Sequence, residues 1–326
     1  MKVVRIAYPM PDDASALAPI EGQTMAIGDF DGVHLGHQEV IGRAVSAGRR
    51  LGLPSSVMTF HPHPREVLGS PVYSEYLTPL ERKQAKFAEL GADALYVVAF
   101  DPALARLAPE AFVDRVLKPL KVKHVAVGFN FTFGHKGAGT PAMLRQLGEG
   151  AFEVDVVEPY AIGGERVSST LIREALSVGD VEKAAKLLGR PYAMSGVVVR
   201  GEGRGRKIGV PTANVSIREP VVKPAGGVYA VTAEIATGPD RGQRYGGVLN
   251  AGRKPTFHDR LPELVWETHL FGYEGDLYGQ TIDVKFHSKI RDERKFPSVD
   301  ALIAQIRSDM DEAKRRIGAI GIPTAE

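Results

Sequence analysis

The hydrophobic pattern of this chain changes period once, around Gly189, Arg190 and Pro191, and no single fold accommodates both patterns. Before the change, apolar runs at residues 24–28, 56–60, 95–100, 124–129 and 152–157 read as buried strands. Between them, residues 38–51, 79–90, 109–120 and 141–147 repeat apolar side chains at spacings of three and four, several with proline at the start, as helices do. Strand and helix in regular succession imply a parallel sheet covered on both faces, whose ligands sit beyond the carboxyl ends of its strands. Residues 168–176 and 181–188 read as two further helices. After Pro191 come the period-two runs MSGVVV, GVYAVTAEIA, YGGVLNAG, VWETHLF and TIDVKFH, the mark of a small antiparallel barrel or sandwich, closed by a helical stretch at 298–317. The expected organisation is therefore an α/β domain over 1–189 and a β domain with a terminal helix over 190–326.

Composition narrows the chemistry. The 326 residues carry 41 Lys and Arg against 39 Asp and Glu, a net charge of +2, which argues against a protein that coats nucleic acid. There is no cysteine, so thiol nucleophiles, disulfides and Cys-ligated metals are excluded. Pro9, Pro11, Asp12 and Asp13 interrupt the N-terminal stretch, and no apolar run approaches the ~20 residues of a membrane span; the expectation is a cytoplasmic protein without membrane or nucleic-acid partners.

The loop after the first expected strand reads GDFDGVHLGHQ, from Gly28 to Gln38. His34 and His37 share a face at a helix start, where backbone amides also point, and Gly36 lets an anion approach the backbone. Two helix histidines without a role are the plain alternative. A second helix opens with RVSSTLIR: Ser168, Ser169 and Thr170 are each ordinary capping residues, yet three hydroxyls with Arg173 one turn on suit triphosphate oxygens. His61 and His63 lack a third ligand for a zinc set, and Asp29 and Asp31 read either as Mg²⁺ ligands or, for Asp31 followed by Gly32, as an ordinary turn pair.

With the loop FHPHP from Phe60 and GFNFTFG from Gly128, these motifs closely resemble the N-terminal module of the bacterial bifunctional riboflavin kinase/FMN adenylyltransferase family. The resemblance implies a Rossmann-like nucleotidyltransferase domain in which FMN phosphate attacks the α-phosphorus of ATP and pyrophosphate leaves. By motif, His34 and His37 would stabilise the transition state. Gly28, Phe30, Gly36, Arg166, Ser169, Thr170 and Arg173 would bind ATP, and Phe60, Pro62, Asn130 and Phe133 would face the flavin. Asn130 stands where many members carry Asp.

In the second half, GEGRGRKIGVPTAN, from Gly201 to Asn214, interleaves glycines with Arg204, Arg206 and Lys207. Such a loop can wrap phosphates or form a basic hairpin tip. Pro211 restricts the chain before Thr212 and Asn214, two uncharged oxygen ligands on one side of a strand that suit Mg²⁺. In VWETHLF, alternation puts Trp266 and Thr268 on one side and Glu267 and His269 on the other; Glu267 is either a surface carboxylate or a general base. The order GRKIGVPTAN, GVYA, GVLNAG with Pro255, Thr256 and Phe257, ETHLF, GDLYG and IRDERKF is similar to the riboflavin kinase module of the same family. Gly272 and Val210 depart from the family's commoner Asp and Phe. The resemblance implies a six-stranded Greek-key barrel with a terminal helix, transferring the γ-phosphoryl of ATP to riboflavin. Glu267 would be the base, Thr212 and Asn214 would hold Mg²⁺, Gly201, Arg206, Gly209 and Pro211 would bind ATP, and Arg291 would lie by the flavin. The small-molecule substrates implied are riboflavin, FMN and ATP, with FMN and FAD as products. A kinase with a degenerate first domain is the alternative, and a non-catalytic flavin or nucleotide binder is a third reading.

Overall fold

Six strands of the unit Met1–Ser169 lie side by side, all parallel, in the order β1 (Lys2–Ile6), β4 (Ala94–Ala99), β3 (Ser55–His61), β2 (Gln23–Ile27), β5 (Val122–Gly128) and β6 (Glu153–Val157). The structure is a computed structural model and describes residues 1–11, 13–69, 74–201, 205, 209–253 and 264–321. Arg206, with Gly203, Arg204 and Lys207, and Pro255, Thr256 and Phe257 lie outside the described residues.

Parallel neighbours need crossovers, and helices supply them: α1 (Leu35–Leu51), α2 (Pro64–Val67), α3 (Leu80–Glu89), α4 (Pro102–Ala105), α5 (Pro109–Phe112) and α6 (Pro141–Leu147). Successive side chains of a strand pass to opposite faces. Met25 and Ile27 join Met58, Tyr96 and Val98 in one apolar cluster, while Ala26 joins Val57, Leu95 and Val97 in the other. Both faces are covered, which is why these strands read as continuous apolar runs. From β2 the order runs to β3, β4 and β1 on one side and to β5 and β6 on the other. The reversal between β2 and β5 opens a crevice at their carboxyl ends, beyond Ile27 and Gly128.

The unit Thr170–Glu326 takes in most of α7 (Ser169–Ser177), all of α8 (Val181–Leu188) and a closed antiparallel barrel. Between the two helices, Gly179 has φ +79 and a Cβ there would lie 2.5 Å from Tyr229 Oη, so only glycine makes the turn. The barrel strands are β9 (Tyr192–Val199), β10 (Ala213–Ser216), β11 (Gly227–Ile235), β12 (Arg244–Arg253), β13 (Leu264–Leu270) and β14 (Thr281–Arg291). They close in the order β10, β13, β12, β11, β14, β9. Three hairpin-connected strands, β11 to β13, with β14 returning beside β11, make the Greek key. Inside, the ring of Phe286 meets Tyr229 at 5.4 Å, Trp266 at 6.1 Å and Tyr192 at 6.5 Å between centroids. Outside, α9 (Val299–Gly318) lays Ala313 and Ile317 on Val228, Ala230, Val248 and Phe271.

The expected helices and apolar strands form with shifts of a few residues at their ends, except that the helix expected over 109–120 is an α-helix only over Pro109–Phe112 and continues as a π-helix over Val113–Leu117. Three elements carry weaker signals. β1 is an edge strand of which only Val4 and Ile6 are buried. The hairpin of β7 (Ala161–Ile162) and β8 (Glu165–Arg166) is two residues per strand and fully exposed. β10 is four residues long, with a single buried side chain. The expected border at 189 follows α8, whereas the compact division precedes it, because α8 packs on β9 and β14.

One largely buried ion pair ties α9 to the barrel. Arg291 donates through Nε and Nη2 to the carboxylate of Asp309, at 3.0 and 2.7 Å to Oδ2, and Gln305 donates to the same group. Removing Asp309 leaves the partly exposed Arg291 guanidinium without its carboxylate. Asp309→Ala is expected to cost about 1.5–3 kcal/mol of barrel stability, read as an earlier calorimetric transition for the second unit.

Candidate functional site

The crevice beyond β2 is built by a strained loop. Phe30 (φ 56) and Val33 (φ 42) both sit in the left-handed region, which a β-branched residue adopts only when its surroundings hold it there. They do so from several sides. Asp31 is buried, and its Oδ1 accepts the N–H groups of Leu77 and Thr78 at 2.9 and 3.1 Å. Thr59 Oγ1 donates to the Asp29 carbonyl and Ser169 Oγ to that of Asp31, each at 2.8 Å. Asp31 and Gly32 form a turn, with Gly32 at φ 91, and the Asp31 carboxylate is taken up by backbone amides.

His34 caps α1: its Nδ1 accepts the N–H of His37 at 3.2 Å, which leaves Nε2 as the protonated donor of a neutral ring. The helix therefore starts at Leu35, three residues before the apolar periodicity. The two imidazoles stack with centroids 3.5 Å apart and 18° between planes. Phe30 lies beneath, edge-on to His37 at 5.4 Å and to Phe87 at 5.8 Å; it is buried, so its ring supports the histidines. A Cβ on Gly36 would come within 3.3 Å of the His34 ring, and one on Gly28 within 3.0 Å of Phe30. Burial, followed by the repulsion His37 would meet from a protonated His34 and from Lys83, holds its pKa well below the ordinary histidine value. His37 Nδ1 is buried with no hydrogen-bond partner among the described residues. A neutral histidine pair with helix amides behind it is a set of donors for phosphate oxygens.

The remaining candidates of this unit surround the crevice unevenly. Asn130 follows β5 and is exposed, and Arg166 lies over the Phe129 ring at 5.6 Å. Phe60 packs edge-on to Phe100, and Pro62 is exposed in the next loop. Phe133 is buried in the core against Phe112 and Phe131 rather than presented to the crevice. Ser169 opens α7; Thr170 and Arg173 follow on that helix and are counted with the second unit.

In the barrel, Trp266 and Thr268 are buried inside and Glu267 and His269 lie on the outer face, as the alternation requires. Glu267 pairs across β10 with Asn214 and across β12 with Asn250, so a carboxylate stands between two amides in one row. His269 donates from Nδ1 to the Pro211 carbonyl at 2.7 Å and so fixes the start of PTAN. Gly201 and Gly205 press on the same strand: a Cβ at Gly201 would lie 2.2 Å from Asn214 Nδ2, and one at Gly205 3.1 Å from Thr212 Oγ1. Gly209 has φ +79 and open space around it. Beside Thr212 opens a cleft of about 100 Å³, lined by Pro211, Thr268, Tyr273, Asp276 and Tyr278, with the buried Thr268 Oγ1 unpartnered among the described residues. Arg291 is already held by Asp309, as above.

Uncharged oxygens of Thr212 and Asn214, with Glu267 alongside Asn214 and glycine backbone against both side chains, suit a hard cation whose other ligands come from phosphate. Among the described residues no group of three or more His, Cys, Asp or Glu could hold a metal by itself. Sequence reasoning placed His269 beside Glu267 without assigning it a role, and it missed Asn250 and Lys83. His269 and Asn250 occupy outward positions on alternating strands, and Lys83 shares the buried face of α3 with Phe87, four residues on.

A family model for FAD synthetase matches residues 18–171, and one for riboflavin kinase matches residues 188–317. A bifunctional riboflavin kinase/FMN adenylyltransferase of Bacillus subtilis is 44% identical over 89% of this chain and 91% of its own length. The protein so described in Escherichia coli K12 is 40% identical over 92% and 95%. A solved Streptococcus pneumoniae chain described as a macrolide-efflux protein superposes with a TM-score of 0.85 at 33% identity, covering 97% of this chain and 99% of that one. Among the described residues no helix here is long and apolar enough to cross a membrane.

The depressed pKa of His37 has a measurable sign. The native ring refuses a proton that the unfolded chain accepts, so its contribution to stability is full above the ordinary value of 6.5 and is lost as pH falls toward the lower native value. NMR titration is expected to show the His37 ring resonances still unprotonated below that ordinary value.

Proposed function

Because the chain belongs to the bifunctional riboflavin kinase/FMN adenylyltransferase family, we propose that it phosphorylates riboflavin to FMN in the barrel and adenylylates FMN to FAD in the α/β module, using ATP in both steps. The observation that carries this reading is that each module brings its own candidate groups together: the stacked His34 and His37 at the start of α1, and Glu267 in register with Asn214 and Asn250. A kinase with a degenerate first module leaves the neutral histidine pair and its strained loop without a use.

In adenylyl transfer an oxygen of the FMN phosphate attacks the α-phosphorus of ATP while the bond to the bridging oxygen breaks and pyrophosphate leaves. The nucleophile is already anionic, so no base is needed; the site's task is to hold two anions together and to stabilise the charge that develops between them. His34 Nε2–H and His37 donate to that charge, with the amides of α1 behind them. Gly28 and Gly36 give the backbone close approach, and Arg166, Ser169, Thr170 and Arg173 are assigned to the β and γ phosphates. Phe60, Pro62 and Asn130 form the flavin side, and Phe133 braces them from the core.

In phosphoryl transfer the Glu267 carboxylate takes the proton of the ribityl 5′-hydroxyl, whose oxygen attacks the γ-phosphorus as ADP leaves. Thr212 and Asn214 would hold Mg²⁺, which, when bound, neutralises phosphate charge. His269 keeps Pro211, and hence Thr212, in place. Gly201, Gly209 and Pro211 approach the nucleotide through backbone, and Arg291 keeps the segment after β14 against α9. The segments 1–189 and 190–326 are proposed as the two catalytic modules, acting in the cytoplasm, where ATP is at hand.

Incubation of the protein with riboflavin, ATP and Mg²⁺ is expected to yield FMN and then FAD by liquid chromatography. Glu267→Ala should abolish FMN formation yet still convert supplied FMN to FAD. His37→Ala should do the reverse, with a loss of about 10²–10³-fold in FAD formation, the size seen on removing one preorganised donor. A wild type that forms FMN but no FAD would reduce the reading to a kinase.

A further inference from the structure

The adenylyl reaction as proposed leaves one buried charge unused. Lys83 on α3 is 3% exposed, and lysine is seldom buried unless paired. Its Nζ donates to the backbone carbonyl of Asp29 at 2.7 Å and stands 3.8 Å from Asp29 Oδ2. That same oxygen lies 3.1 Å from His63 Nε2 and accepts the N–H of Asp31 at 3.2 Å. The ring of Tyr76 lies 5.9 Å from the ammonium, and its hydroxyl donates to Glu66. Burial pushes the Asp29 carboxyl up, but Lys83 and His63 outweigh it and hold the group below the ordinary carboxylate range. An ammonium, a carboxylate and an imidazole are thus gathered under the residues that start the strained loop.

No phosphate contact explains this cluster, because Lys83 is enclosed by protein. A structural ion pair alone does not explain it either. Burying such a pair strips water from both ions and is often no better than an apolar contact. What it does hold is Asp29, the residue immediately before Phe30, whose left-handed backbone puts a ring under His37.

Resting on the adenylyl-transfer reading, we propose that Lys83 is a positioning residue of that reaction: by clamping Asp29 at both its carbonyl and its carboxylate, it holds the strained Gly28–His34 loop so that the His34 and His37 rings face the triphosphate. Its charge has a second effect. The titratable groups acting on His37 are His34, stacked on it from the same helix, and Lys83 from α3; Asp29 and His63 stand beside Lys83. Lys83 therefore opposes protonation of His37 and keeps it a neutral donor.

The test uses the full chain, in which riboflavin phosphorylation by the second module is an internal control. Lys83→Met is expected to lower kcat for FAD formation by about 10²-fold, the loss expected when reacting groups are misplaced by ~1 Å, with riboflavin phosphorylation unchanged. Removing the positive charge eases protonation of His37, so the acid limb of the FAD-forming profile moves to higher pH. Lys83→Arg, which keeps the charge, is expected to leave the limb in place and to recover most of the rate. Undiminished FAD formation by Lys83→Met, or a loss whose acid limb does not move, overturns the proposal. Should Lys83→Met fail to fold, Asp29→Asn keeps the shape while discharging the clamp; it must lower FAD formation without touching the kinase, and a wild-type rate overturns the proposal. A wild type that makes no FAD sinks the adenylyl reading instead. In that event NMR titration of His37 still decides the clamp, since a midpoint unchanged by Lys83→Met overturns it.

Discussion

Parallel pairing of β2 with β3 on one edge and β5 on the other governs the first unit. A parallel sheet sheathed on both faces has nowhere to bind a charged ligand except beyond its strand ends, and reversal of strand order opens that space at a single place. Several polar devices of the unit are arranged around that opening. Asp31 is spent on two backbone amides, Thr59 and Ser169 on two carbonyls, and Lys83 on Asp29, so that a backbone path disfavoured at Phe30 and Val33 becomes the only one available. The histidine stack follows from that path, because His34 can cap α1 only where the loop delivers it.

The barrel solves a similar problem with a different period. Closing the sheet directs alternate residues inward, where Phe286 gathers Tyr192, Tyr229 and Trp266, and leaves the outward row free for chemistry. Glu267, Asn214 and Asn250 share that row because three strands run in register there. Precision comes from neighbours with no Cβ or with a fixed carbonyl: Gly201 against Asn214, Gly205 against Thr212, and Pro211 held by His269. Flexibility of the glycine loop is thus only half its meaning; the other half is close contact.

Fold class and the order of elements were legible in the sequence because each rests on local pattern, whereas the candidate sites were assigned through motifs that resemble a family. Apolar runs bounded by glycine and proline gave the sheet, alternation gave the barrel and even the two faces of β13, and the His-x-Gly-His spacing marked the helix start. What escaped depends on contacts between residues distant in sequence. Histidine is not an ordinary N-cap, so apolar periodicity alone began α1 at residue 38, and only the His-x-Gly-His spacing pointed to a start at His34. Asp29 looked like a candidate metal ligand because its partners, His63 and Lys83, come from β3's following loop and from α3. Arg291 looked available to a ligand because Asp309 lies on α9, and Phe133 because its burial depends on Phe112 and Phe131. The exposed hairpin β7–β8 and the short β10 have too few buried side chains to leave a periodic trace.

The placement of Trp266 has a practical consequence. It is the chain's one tryptophan, 2% exposed, at the centre of the barrel beside Phe286. Intrinsic indole emission is therefore a private reporter of the second unit: its red shift on denaturation follows the opening of the barrel, while the parallel sheet can unravel unseen. Far-ultraviolet circular dichroism sees both units, so the gap between the two signals along a denaturation curve isolates the first unit without cutting the chain.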